Sequence, residues 1–215
     1  MSLLDVKSLI TGTNPYYINP QNSGKPLFER SFKLPSLSST SLHDICRNSF
    51  STNNNNFGLG KRTTSNGLGN SIADTAKSYR GYKESDGSYL KFGEKGAWCV
   101  AFSTYVTKES LKKNGISAPS WLNTHSVAQL MKNADENNCF LSTKTSSDKA
   151  SLIANNVKPG DTVIFKTGRS HAGIVTKVYS DGSFDTVEGN TSGGKVATRH
   201  YSAYEKTLNG FVQVA

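Results

Sequence analysis

Cys99 stands in the run Gly96-Ala97-Trp98-Cys99-Val100-Ala101-Phe102, behind a turn-prone stretch from Gly81 to Gly96. Trp98, Phe102, Tyr105 and Val106 recur at helical spacing, which predicts a helix with Cys99 in its first turn. Unsatisfied N–H groups and the helix dipole favour a thiolate there. A thiolate is the form a cysteine nucleophile needs. Taken alone, the run reads more simply as packing, because free cysteine is among the most buried residue types. The pattern downstream shifts the balance toward chemistry.

Ser170-His171-Ala172-Gly173-Ile174-Val175 reads as a strand that puts His171, Gly173 and Val175 on one face. Phe184, Thr186, Glu188 and Asn190 share a face of the next strand. A hairpin through Asp181-Gly182 brings His171, Glu188 and Asn190 to the same side of the sheet, because cross-strand partners point the same way. A helix packed on that face would add Cys99 and complete a thiol, an imidazole and an orienting group. A strict two-residue loop, however, sets Asn190 opposite Gly173 and Glu188 opposite Val175. Glu188 is then roughly 13 Å along the strand from His171 at ~3.3 Å per residue. It reaches the imidazole only if the turn is looser or a bulge intervenes. His200 is the rival base; His43 and His125 fall on polar positions of their segments. Cys139 reads as packing or surface, and Cys46 has no visible partner.

The elements that must position these groups follow from periodicity. Helices are expected over Ser71–Tyr79, from Cys99 through Lys112 to a C-cap at Asn114-Gly115, over Trp121–Ala134, and over Ser147–Asn155 with Ser147 as N-cap. From Val157 onward the texture changes to short strands: Thr162–Lys166, His171–Tyr179, Ser183–Gly189, Val196–Tyr201 and Phe211–Val214. Helices first and an antiparallel sheet of four to six strands afterwards predict an α+β domain over residues 70–215. Residues 1–69 hold four of the six prolines, a Ser-rich patch and an Asn run. They read as a poorly structured N-terminal arm, with short helices at most over Leu3–Ile10 and Ser41–Phe50 and a linker from Ser51 to Asn70.

Composition narrows the function. The net charge of +9 is diffuse: seven Lys/Arg against three Asp/Glu in residues 1–69, eighteen against thirteen beyond. Without a block of like charge, specific nucleic-acid binding is not expected, whereas a diffuse basic surface suits polyanions. Three cysteines do not make a disulfide framework, and no spacing suggests zinc. Residues 1–17 lack the basic and apolar regions of a signal peptide, and no apolar run has membrane-spanning length. The expectation is synthesis in the cytoplasm, with some other means of reaching any extracytoplasmic target.

Trp98-Cys99-Val100-Ala101-Phe102, Pro159-Gly160-Asp161-Thr162-Val163-Ile164-Phe165, Ser170-His171-Ala172-Gly173-Ile174-Val175, Glu188-Gly189-Asn190 and Gly210-Phe211 together resemble a CHAP domain. This is the cysteine, histidine-dependent amidohydrolase and peptidase family within the papain-like NlpC/P60 group. The resemblance covers about residues 70–215 and implies Cys99 as nucleophile, His171 as general base, Glu188 as the group orienting His171, and Asn190 in support. It implies hydrolysis of a peptidoglycan amide, either N-acetylmuramoyl-L-alanine or a bond of the stem or cross-bridge peptide. The Cys99 N–H is the natural oxyanion donor. Some members bind calcium through acidic residues flanking the nucleophile; here Glu94 alone stands close, and Asp86-Gly87-Ser88 reads as a plain turn, so neither a metal nor another cofactor is expected. The partner is then bacterial peptidoglycan, with a phage-particle or secretion-machine protein bound through residues 1–69. The protein would act at the cell wall as a virion-associated or released lysin, or as an exported antibacterial effector. Two other classes remain: a non-catalytic structural component with this fold, and a cytosolic amidase acting on a soluble substrate.

Overall fold

The computed structural model describes residues 66–93, 96–166 and 170–214, with the side chain of Asn66 left aside. The arm helices over Leu3–Ile10 and Ser41–Phe50, together with His43, Cys46 and Glu94, lie outside the described residues.

Four α-helices and one six-stranded antiparallel sheet are found among the described residues. They are α1 (Asn66–Ser78), α2 (Cys99–Lys113), α3 (Val127–Glu136) and α4 (Lys149–Asn156), with β1 (Phe140–Ser142), β2 (Thr162–Phe165), β3 (His171–Val178), β4 (Phe184–Thr191), β5 (Lys195–Tyr201) and β6 (Leu208–Val212). The sheet order is β1-β6-β2-β3-β4-β5 and every pairing is antiparallel. The α+β expectation therefore holds. β1 was not expected: three residues carry too little alternation to register as a strand, and its partner β6 lies at the far end of the chain.

Helix boundaries moved where caps compete. α1 begins at Asn66 rather than Ser71, inside the stretch read as linker, because Leu68, Ile72 and Ala76 form a stripe buried against α2. α3 begins at Val127, after Ser126 caps Gln129 N, and Trp121 belongs to a separate 3-10 turn over Ser120–Leu122. Asp148, not Ser147, caps α4 by accepting from Ser151 N at 3.0 Å. α2 ends as its sequence says, at Asn114-Gly115, with Gly115 at φ 70.

The sheet has a different core on each face. Ile164, Ala172, Ile174, Val187 and Val212 pack with α1, α2 and α3, whereas Val163, Phe165, Val175, Phe184 and Phe211 pack with α4. α2 lies so close on β4 that a Cβ at Gly189 would stand 2.5 Å from Phe102 Cβ and 2.7 Å from Trp98 Cζ3. That is the physical reason for glycine between Glu188 and Asn190. Asp161, fully buried, accepts from Lys158 N at 3.0 Å and Val214 N at 3.1 Å. It closes the turn before β2 and pins the chain just beyond β6. No helix among the described residues is long and apolar enough to cross a membrane.

Candidate active site

Cys99 opens α2 with no side chain capping the helix start, so the first-turn N–H groups face whatever lies at that end. An aromatic cluster fixes the entry. Phe92, delivered by a 3-10 turn over Ser88–Phe92, stacks on Trp98 at 5.7 Å and meets Phe102 edge-on at 5.0 Å. The Trp98 indole Nε1 donates to Glu84 Oε1 at 2.8 Å, which sets the ring of the residue just before the thiol. Asp86 closes its own turn by accepting from Ser88 N and Oγ.

His171 is the first residue of β3 and stacks on Phe165, its cross-strand partner. The hairpin to β4 settles the register. Gly182 N bonds Tyr179 O at 3.0 Å and Tyr179 N bonds Ser183 O at 2.9 Å, so the loop has three residues with Gly182 in the left-handed region at φ 77. A bulge between Val175 and Lys177 then shifts the pairing once more, giving Val175↔Thr186 and Ile174↔Val187. Each irregularity moves Glu188 one residue toward His171. Glu188 ends beside Gly173, where a Cβ would stand 2.6 Å from Glu188 Cγ. The looser turn and the bulge both occur, and the carboxylate comes within reach.

Glu188 Oε2 lies 2.8 Å from His171 Nε2. Glu188 is 0 % and His171 8 % exposed. The carboxylate is held from behind: Thr186 Oγ1 donates to Oε1 at 2.9 Å, and the Tyr201 hydroxyl donates to the same group. Cys99 is hydrogen-bonded to His171, whose Nδ1 is the nitrogen left for it, and the backbone at Ala172 and Val100 also bonds the sulfur. One expectation is corrected here. α2 does not pack on the face that carries His171 and Glu188; it covers the alternate face, with Ala172, Ile174 and Gly189. The thiol meets the imidazole at the end of β3, because His171 is the strand's first residue and only there can its ring turn toward the helix start.

The charges follow from the contacts. Burial pushes the Cys99 thiol up, but the hydrogen bond and positive charge of His171, with the backbone donors, bring it below its ordinary value. Burial would lower His171, yet its bonds to Cys99 and Glu188 raise it to about 9. Burial raises Glu188, and His171, Tyr201 and Thr186 together hold it below the ordinary carboxylate range. The three contacts thus favour the thiolate, the imidazolium and the carboxylate over their uncharged forms.

Asn190 is not on His171. It sits at φ 56, and its Nδ2 donates to Gly96 O at 3.5 Å, tying β4 to the loop before Cys99. His200, the rival base, is on β5 and bonded through Nδ1 to Asp185 at 2.7 Å, away from the thiol. His125 is exposed, in the segment between the 3-10 turn over Ser120–Leu122 and α3. Cys139 is buried and disulfide-bonded, which corrects its reading as simple packing; three cysteines gave no pattern from which a bridge could be read. Cys99 is the free thiol among the described residues. Sequence reasoning missed Thr186 and Tyr201. Thr186 carried a signal, being two residues before Glu188 on the same face, whereas Tyr201 comes close only through the β4–β5 pairing Phe184↔Tyr201. Among the described residues, no three His, Cys, Asp or Glu side chains gather in a way that could hold a metal ion.

A thiol at a helix start, an imidazole at a strand start and a buried carboxylate behind it form the constellation of cysteine-dependent hydrolases. The CHAP domain family model matches residues 91–190, which include Cys99, His171 and Glu188 as well as Asn190, and this part of the chain is a CHAP domain. Domains of this family are typically cysteine, histidine-dependent amidohydrolases or peptidases acting on peptidoglycan. Neither a curated protein nor a solved structure matches the chain.

Proposed function

We propose that the protein hydrolyses an amide bond of bacterial peptidoglycan, with Cys99 as nucleophile, His171 as acid and base, and Glu188 as the group that orients and charges His171. The observation that carries this reading is the buried line Cys99–His171–Glu188, with Glu188 Oε2 2.8 Å from His171 Nε2. A vestigial fold would have no reason to keep a carboxylate at 0 % exposure satisfied by three partners.

The Cys99 thiolate attacks the amide carbonyl, and the developing oxyanion is met by the Cys99 N–H at the uncapped start of α2. The imidazolium of His171 gives its proton to the leaving amine, which departs and leaves a thioester on Cys99. His171, now neutral, takes a proton from water as the water attacks the thioester, and the thiolate leaves with the acid product. Glu188 stays ionised throughout and favours the charged imidazole at each stage. Asn190 keeps the loop before Cys99 in register with β4. The bond cut is N-acetylmuramoyl-L-alanine or one within the stem or cross-bridge peptide. Residues 1–69 serve as a docking or delivery segment for a lysin or an exported effector that acts at the cell wall.

Purified sacculi incubated with the full chain, then separated and weighed by mass spectrometry, test the reading. New termini at one amide class are expected from the wild type and none from Cys99→Ala. Intact sacculi with the wild type, or equal cleavage by both proteins, would overturn it.

A further inference from the structure

On the face of the sheet that packs with α1, α2 and α3 lies a pocket of about 660 Å³ between α3, β1 and the start of β6. That is the size of a small-ligand site. Half-buried Met131 and Phe140 give it an apolar part and pack on the same core that buries Trp98 and Cys99. Lys132, Lys144 and Lys166 give it three ammonium groups from three different segments, opposed by Asp135 alone. Lys132 is 3.7 Å from Glu136, while Lys144 and Lys166 have no carboxylate partner among the described residues. The uncommitted positive charge therefore rests on Lys144 and Lys166. Asn209, 4 % exposed, lines the pocket with a side-chain oxygen that has no hydrogen-bond partner. Its Nδ2 donates to Met131 Sδ at 2.8 Å, so a donor such as a peptide N–H is what the amide oxygen lacks.

Register places this pocket relative to the chemistry. Phe165 pairs with both His171 on β3 and Leu208 on β6, so Lys166 and Asn209 follow at the same end of the sheet as His171. β6 is two strands from β3, about 10 Å at the usual strand spacing. Roughly three residues of extended peptide cover that span.

Resting on the peptidoglycan reading above, we infer that this pocket is a subsite for a free carboxylate carried by the peptide whose amide is cut at Cys99. The methylene and methyl groups of such a peptide match Met131 and Phe140, its carboxylate meets Lys144 and Lys166, and its backbone meets Asn209. A phosphate polymer would need an open basic track, not a half-apolar recess.

The test uses the full chain carrying Cys99→Ser, so that binding is read without turnover and independently of which bond the wild type cuts. A soluble muropeptide with free carboxylates and the same muropeptide with those groups amidated are titrated calorimetrically. The free acid is expected to bind about tenfold more tightly, the effect of one charge-assisted hydrogen bond in a solvated site. That preference should shrink with added salt and vanish in Lys144→Gln/Lys166→Gln. Both lysines are exposed, so the melting temperature should not move. Equal binding of the two muropeptides, or a preference that survives loss of both lysines, would overturn the subsite. So would lysine-dependent binding of a glycerol-phosphate oligomer with no discrimination between the muropeptides, which would make the pocket a polymer site. Failure of sacculus hydrolysis would count against the proposed function alone.

Discussion

Glu188 and Asn190 compete, on paper, for the same task, and the structure divides it between them. Glu188 charges His171, and Asn190 ties β4 to Gly96. Their variants should therefore differ in kind. In the mechanism proposed above the His171 imidazolium, held at a pKa of about 9, is the form that releases the amine, so activity should fall as pH rises through that value. Glu188→Gln removes the negative charge and should lower kcat roughly 100-fold, within the usual range for acid–base catalysis. It should also pull the alkaline limb of the pH–rate profile downward. Asn190→Ala should cost less and leave the limb in place. Tyr201→Phe should move the limb in the same direction as Glu188→Gln but by less, since Thr186 still donates to the carboxylate. A Tyr201→Phe limb that stays put would mean that Tyr201 only fills space. The motif residues were legible in the sequence because their types are rare and their order is specific. Tyr201 was not, since its contact depends on a β4–β5 register that no local pattern encodes.

At the level of elements, two glycines do what no other residue could. Gly173 leaves room for Glu188, and Gly189 lets α2 lie on β4. Gly189→Ala should destabilise the fold by roughly 1–3 kcal/mol through overpacking against Phe102, seen as a lower midpoint in urea. Gly173→Ala should instead hurt kcat more than stability, because the group it displaces is the Glu188 side chain. If the two variants showed the same balance of lost stability and lost activity, the assigned roles would be wrong. The strands after Val157 were legible because alternation and turn glycines mark them strongly. The hairpin register was not, since a three-residue loop and a bulge at Thr176 each cost one residue of slip, and neither leaves a distinctive signature. α1 was read short because Asn66 to Asn70 has linker composition, while the burial of Leu68 that extends the helix is a tertiary effect.

For the whole molecule, Cys99 and Cys139 answer differently to redox conditions, one free and one disulfide-bonded. Reductant should keep Cys99 active while lowering the unfolding free energy by about 2–4 kcal/mol, the usual worth of a bridge. Activity measured well below the transition should not fall. A melting point unchanged by reductant would show that the bridge contributes nothing to the fold. The α+β class could be read from the order of helices and strands, whereas β1, which pairs with β6 at the far end of the sequence, could not.

The central claim is that Cys99 and His171 form an ion pair, and the pH dependence of Cys99 alkylation in the native full chain tests it most directly. With a peptide map to single out Cys99, the rate should titrate below the ordinary thiol value of 9.0. His171→Ala should send that titration upward. A single rise near 9 that is indifferent to His171→Ala would contradict the account.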